Sequence, residues 1–214
     1  MFAEYLKAFL AIFVLIDPIG AIPIYLSMAP GYTPAEHRRT VRRIAVATTL
    51  ILLGALIIGG PALALLGVSI PAFQVAGGLL ILLLALAMMQ HSPEVRRQAQ
   101  EEAAEATAAS EKPDIAVIPM AMPILAGPGS IGAMIVYGHL RGSVVNYLVL
   151  ALIAVLVGVS CWVALRLAAP IGARLGRTGT SLLTRIMGLL LAAIAVEMAA
   201  NGLRALFPML AVAR

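Results

Sequence analysis

Residues 9–30 read FLAIFVLIDPIGAIPIYLSMAP, an apolar stretch long enough to enter a membrane yet interrupted halfway by Asp17, Pro18, Gly20 and Pro23. Proline lacks a backbone donor and clashes with the preceding turn, while glycine opens conformations closed to other residues. The cluster therefore predicts a helix that kinks or unwinds at mid-depth. Such a break leaves backbone groups that hydrocarbon cannot satisfy, so it persists only where protein, water or a ligand meets them.

The rest of the chain has the same membrane character. Its 214 residues are 62% apolar and 12% charged, with a mean hydropathy of +1.01. Ordinary soluble domains are about half apolar and a quarter charged. Six apolar blocks, near 4–28, 40–60, 70–90, 115–138, 144–168 and 182–206, have the length that crosses a hydrocarbon core of about 30 Å. The first carries Glu4, Lys7 and Asp17 and exceeds a signal peptide's apolar region, so it is expected to persist as a span. Expected is an all-α integral membrane protein with six transmembrane helices.

With the N-terminus outside, Arg38, Arg39, Arg42, Arg43, Arg96, Arg97, Lys112, Arg166, Arg174, Arg177 and Arg185 fall on the inner side. Only Lys7, Arg141, Arg204 and Arg214 fall outside. This asymmetry places both termini outside the cytoplasm, in an inner membrane. The net charge of +5 is thus a matter of orientation and anionic lipid, and nucleic acid is not an expected partner. The lone Cys161 rules out a disulfide within the chain and reads as a buried structural thiol. His37, His91 and His139 lie in three connections without metal-ligand spacing, so neither metal nor cofactor is expected.

A shift of 110 residues lays Pro18 on Pro128, the Gly78 triplet GLL on its copy at Gly188, Ala85 on Ala195 and Met88 on Met198. Two halves, 1–90 and 115–214, joined by a polar linker over 91–114, would each hold three spans. An odd number inverts the second half, as in many secondary transporters. The fourth span, AVIPMAMPILAGPGSIGAMIVYG over 116–138, carries Pro119, Pro123, Gly127, Pro128, Gly129, Ser130 and Gly132 where the first carries its own break. The first and fourth helices are therefore both expected to be broken.

Asp17 before Pro18, and Gly127 before Pro128, have the form of a helix cap followed by a first helical residue. Exposed amides at Gly129 and Ser130 would suit a carboxylate, and Asp17 an ammonium group or a proton. The competing reading leaves Asp17 as a cap and the glycines as packing contacts. In the sixth span Glu197, Asn201 and Arg204 share one helix face, suited to a gate, a proton site or a salt-bridge network. Gln74 and Thr184 correspond under the shift and read as helix-to-helix hydrogen-bond partners. A serine protease built on Ser130 and His139 is disfavoured, because no nucleophile elbow is present, and enzymatic function is not expected.

The stretches FLAIFVLIDPIGAIPIYLSM (9–28) and IPMAMPILAGPGSIGAMI (118–135) resemble the paired signatures of the MarC family, also described as small neutral amino acid transporters. The resemblance covers essentially the whole chain. It implies six spans, an outside N-terminus, a cytoplasmic linker after the third span, and membership of the wider LysE-like superfamily. It also implies transport of glycine and alanine, coupled to protons. Its site carries over onto Asp17 to Pro23 and Pro123 to Ser130, whereas Glu197 and Asn201 rest on chemistry alone. The alternatives are a drug or metabolite exporter, disfavoured by an aromatic content of 5%, and a non-transporting membrane scaffold.

Overall fold

The computed structural model describes residues 2–90, 115–139 and 143–208, and the linker expected over 91–114 lies outside them. The described residues are almost entirely helical. In chain order they form α1 (Phe2–Ile16), α2 (Ala21–Met28), α3 (Pro34–Leu65), α4 (Ile70–Gln90), α5 (Ala116–Leu125), α6 (Pro128–His139), α7 (Val144–Arg166) and α8 (Ala168–Leu206). Five crossings are long and apolar enough to span a membrane, and a sixth follows if the bent pair of α5 and α6 counts as one. Their positions match the six expected blocks.

Local chemistry sets the boundaries. Thr33 and Glu36 close a capping box before Pro34, with each side chain accepting from the other's backbone amide. Ser143 caps α7 through the Asn146 amide. The Asn146 side chain in turn donates to the carbonyls of Tyr137 and Gly138, closing the end of α6. In α8, Gly176 takes a φ of 57° that side-chain-bearing residues avoid. The membrane-length part of that helix begins at Ser181.

The first span is well enclosed by the rest of the bundle. Its apolar window is 56% buried, against 28% for the third and sixth, so Asp17 travels in a span largely shielded from lipid. Outward-facing Leu50, Ile57, Leu83, Leu148 and Leu189 form the apolar coat that a bilayer requires.

The most extensive helix contact joins α4 to α8. A β-carbon built on Gly78 would lie 2.8 Å from the Ala195 carbonyl and 2.9 Å from the Ala199 amide. One on Gly188 would lie 3.0 Å from the Ala85 carbonyl and meet Met88 and Met89. Gly202 lies against Pro71, Gln74 and Val75, so the two helices run antiparallel. The contact of Gly78 with Ala195 and that of Gly188 with Ala85 exchange under the shift of 110 residues. Glycine permits this backbone approach, which membrane helices use in place of a hydrophobic driving force.

Candidate functional site

Both expected breaks are present, but they differ in kind. In the first span, the Asp17 amide still bonds the Phe13 carbonyl at 3.1 Å, and the Asp17 carbonyl accepts from Ala21 at 3.1 Å. The Asp17 carboxylate accepts from the Gly20 amide at 2.9 Å. Asp17 thus holds the turn over residues 18–20, and helix resumes at Ala21, three residues later than a cap directly before Pro18 would give. Its φ of 44° is left-handed, a region Asp and Asn tolerate better than most residues. Because the bonds bridge the interruption, Glu4–Met28 remains one crossing of 25 residues. Pro18 and Gly20 are buried, and Pro23 is partly so.

The fourth span bends by 65° between α5 and α6. Proline disfavours helical torsions in the residue before it. Ile118 and Met122, preceding Pro119 and Pro123, accordingly take extended torsions of (−120°, 122°) and (−138°, 123°). The amides of Met120 and Ala126 reach back five residues, to Ile115 and Ala121, so the winding is wide. Gly127 then starts α6: its carbonyl accepts from Ile131 at 3.0 Å. The buried Ser130 hydroxyl donates to the Gly127 carbonyl at 3.1 Å and lies 3.4 Å from that of Leu125. Gly129 and Ser130 occupy the first turn of α6, whose amides have no carbonyl one turn back in their own helix. Pro123 and Pro128 are exposed.

The two breaks are neighbours. A β-carbon on Gly129 would lie 3.2 Å from Leu15, two residues before Asp17, and 3.1 Å from Ile81 of α4. The first turn of α6, with its positive dipole end, therefore packs against the stretch leading into Asp17, with the third span closing one side. The acid of the first span and the N-terminal turn of α6 thus lie on neighbouring segments.

Glu197, Asn201 and Arg204 sit elsewhere. They are exposed and share an open concavity of about 610 Å³ with Leu189, Ala192, Ala193, Val196 and Ala200, all on α8. No break residue lines it among the described residues. Glu197 also lies within electrostatic reach of Tyr137 in α6. Gln74 and Thr184 are both buried.

One supporting pair was not legible from spacing. The hydroxyl of the fully buried Tyr25 meets His37 Nδ1 at 2.7 Å, tying the end of α2 to the start of α3. The only hint is a tyrosine within a half-helix whose other residues, Ser27 apart, are apolar.

Residues 2–207 match the family described as MarC family integral membrane protein. The UPF0056 membrane protein YhcE of Escherichia coli K12 is 36% identical over 208 residues, spanning 97% of this chain and 95% of that protein. YvbG of Bacillus subtilis 168, also a UPF0056 membrane protein, is 33% identical over 98% of this chain and 99% of its own length. A UPF0056 membrane protein of Methanocaldococcus jannaschii is 36% identical over 94% of this chain and 96% of its own. No solved structure matches. A family match that runs through both interrupted spans and nearly every other described element establishes that this chain belongs to the MarC family of integral membrane proteins.

Proposed function

We propose that the protein is a secondary transporter of small neutral amino acids such as glycine and alanine, coupled to protons, and not an enzyme. The observation that carries this reading is the packing of the Gly129 turn against Leu15, which sets the two interrupted spans side by side. Interrupted helices that offer a dipole end and an acid at one level form the substrate sites of many transporters. The exchange of the Gly78 and Gly188 contacts under the 110-residue shift supports two inverted halves, with the halves rocking about the site between them. Family membership adds to the reading, and the arginine distribution supports an inner-membrane location with the N-terminal end outside.

In this mechanism the amides of Gly129 and Ser130 receive the solute carboxylate, and Asp17 faces its ammonium group or carries the coupled proton. Purified protein in liposomes is expected to exchange labelled glycine or alanine. Absence of flux under inward and outward proton gradients, in both insertion orientations, would reject the reading. Asp17→Asn keeps a side-chain acceptor for the Gly20 amide, so it is expected to fold with wild-type thermal stability and lose the pH dependence of flux. Unchanged pH dependence would leave Asp17 as a cap alone.

A further inference from the structure

We infer that the hydroxyl of Thr48, in the middle of α3, is a hydrogen-bonding position on the solute path beside the bent fourth span. This rests on the transport reading above for the identity of the solute, but not for the exposure of the position to an aqueous path.

Thr48 is 0% exposed, and its Oγ1 is the sole buried side-chain polar atom without a hydrogen-bond partner among the described residues. Its chain neighbour shows the usual alternative. Thr49 donates to the Ala45 carbonyl at 2.8 Å, the common sink for a helical hydroxyl in apolar surroundings. Buried Ser130 and Asn146 are likewise met by backbone carbonyls. An unmet buried hydroxyl is unfavourable, and valine would fill nearly the same shape without it. The group therefore has use for a partner that the chain does not supply.

Its location indicates which partner. Thr48 lies on the buried stripe of α3 between Ile44 and Leu52, fourteen residues after Pro34 and seventeen before Leu65. α3 packs against α5, α6 and α7, hence against both arms of the bend. At this level the α7 backbone comes close: a β-carbon on Gly158 would strike Thr49 Oγ1 and approach the Ala45 carbonyl to 3.3 Å. Thr48 and Gly158 also correspond under the 110-residue shift, so this is the level at which equivalent helices of the two halves cross. The partner that fits is a small hydrogen-bonding molecule, either the amino or carboxylate group of the solute or a water on the same path. Because Oγ1 is fully enclosed in this conformation, access requires the bend to move relative to α3, as alternating access would demand.

The test uses the full chain. Cys161, the single cysteine, is replaced by alanine, and Thr48→Cys is exposed to a small water-soluble methanethiosulfonate, with lipid-facing Val46→Cys alongside. Thr48→Cys is expected to react, and millimolar glycine or alanine to slow it several-fold without changing Val46→Cys. In parallel, Thr48→Val is expected to melt no lower than wild type while raising the KM for labelled glycine about tenfold, the worth of one hydrogen bond. Thr48→Ser is expected to keep the wild-type KM. Unreactive Thr48→Cys, or a Thr48→Val that melts lower and is rescued by serine, would overturn the inference by making the hydroxyl structural. Reaction unaffected by either amino acid would overturn the solute contact and assign the hydroxyl to water. Reaction at Thr48→Cys in a protein that shows no glycine or alanine flux would reject the proposed substrates and sustain the aqueous path.

Discussion

At the scale of single residues, Asp17 and Gly20 act as one unit. The carboxylate takes up the Gly20 amide, and a β-carbon on Gly20 would fall on that same carboxylate. Gly20 has an ordinary helical φ of −64°, so its requirement for glycine is steric and has nothing to do with backbone freedom. Gly20→Ala is therefore expected to expel the Asp17 side chain and destabilise the protein by about 1–2 kcal/mol, the usual worth of a helix cap. Asp17→Ala should lose at least as much, because it removes the acceptor and places alanine at a positive φ. Asp17→Asn should lose little. Thermal unfolding of the three variants in detergent checks the order, and a stable Gly20→Ala would mean the turn over residues 18–20 does not depend on the cap.

At the scale of elements, the Pro/Gly content of residues 17–23 and 119–132 announced both interruptions, but not their inequality. Pro119 and Pro123 stand four apart, so each imposes extended torsions on the residue before it within α5, and the span then turns by 65° between Leu125 and Pro128. Around Pro18 the flanking bonds of Asp17 keep the two helical pieces in one crossing. That distinction depends on which carbonyl each amide finds, information that composition does not carry. The contact of Gly129 with Leu15 was equally out of reach, being a matter of how distant spans pack. The repeated GLL at Gly78 and Gly188 marks the internal repeat, and the structure adds that both glycines sit in the contact of α4 with α8. Gly78→Ala would drive a β-carbon against backbone atoms of α8 that cannot rotate away, whereas Gly188→Ala meets the Ala85 carbonyl less closely and two flexible methionines. Gly78→Ala is expected to be the more damaging, at about 1–3 kcal/mol. Gly54→Ala, with nothing within 4 Å, should be neutral or slightly stabilising. Equal losses at Gly78 and Gly188 would show that the methionines have no room to yield.

At the scale of the whole molecule, span positions constrain topology, and arginines constrain orientation. α3 is 32 residues long, about 48 Å at the helical rise, more than a hydrocarbon core requires. The excess places Arg38, Arg39, Arg42 and Arg43 beyond the apolar layer at the Pro34 end, whereas the opposite end closes on the turn over residues 66–69 without a charge. Leu65 is 89% exposed beside that turn, as expected of a tight connection sitting at the membrane boundary. If the arginine-rich end is cytoplasmic, Ser69 faces outward and Gly31, one connection earlier, faces inward. In a Cys161→Ala background, a membrane-impermeant maleimide added to intact cells is expected to label Ser69→Cys but not Gly31→Cys, which should react only after permeabilisation. Both positions are exposed, so burial would not mask either result. The reverse pattern would leave the spans in place and turn the molecule over, putting the Tyr25 and His37 contact outside. Labelling of both positions from outside would be more damaging, because α3 would then not cross the membrane and the inverted relation between the halves would fail with it.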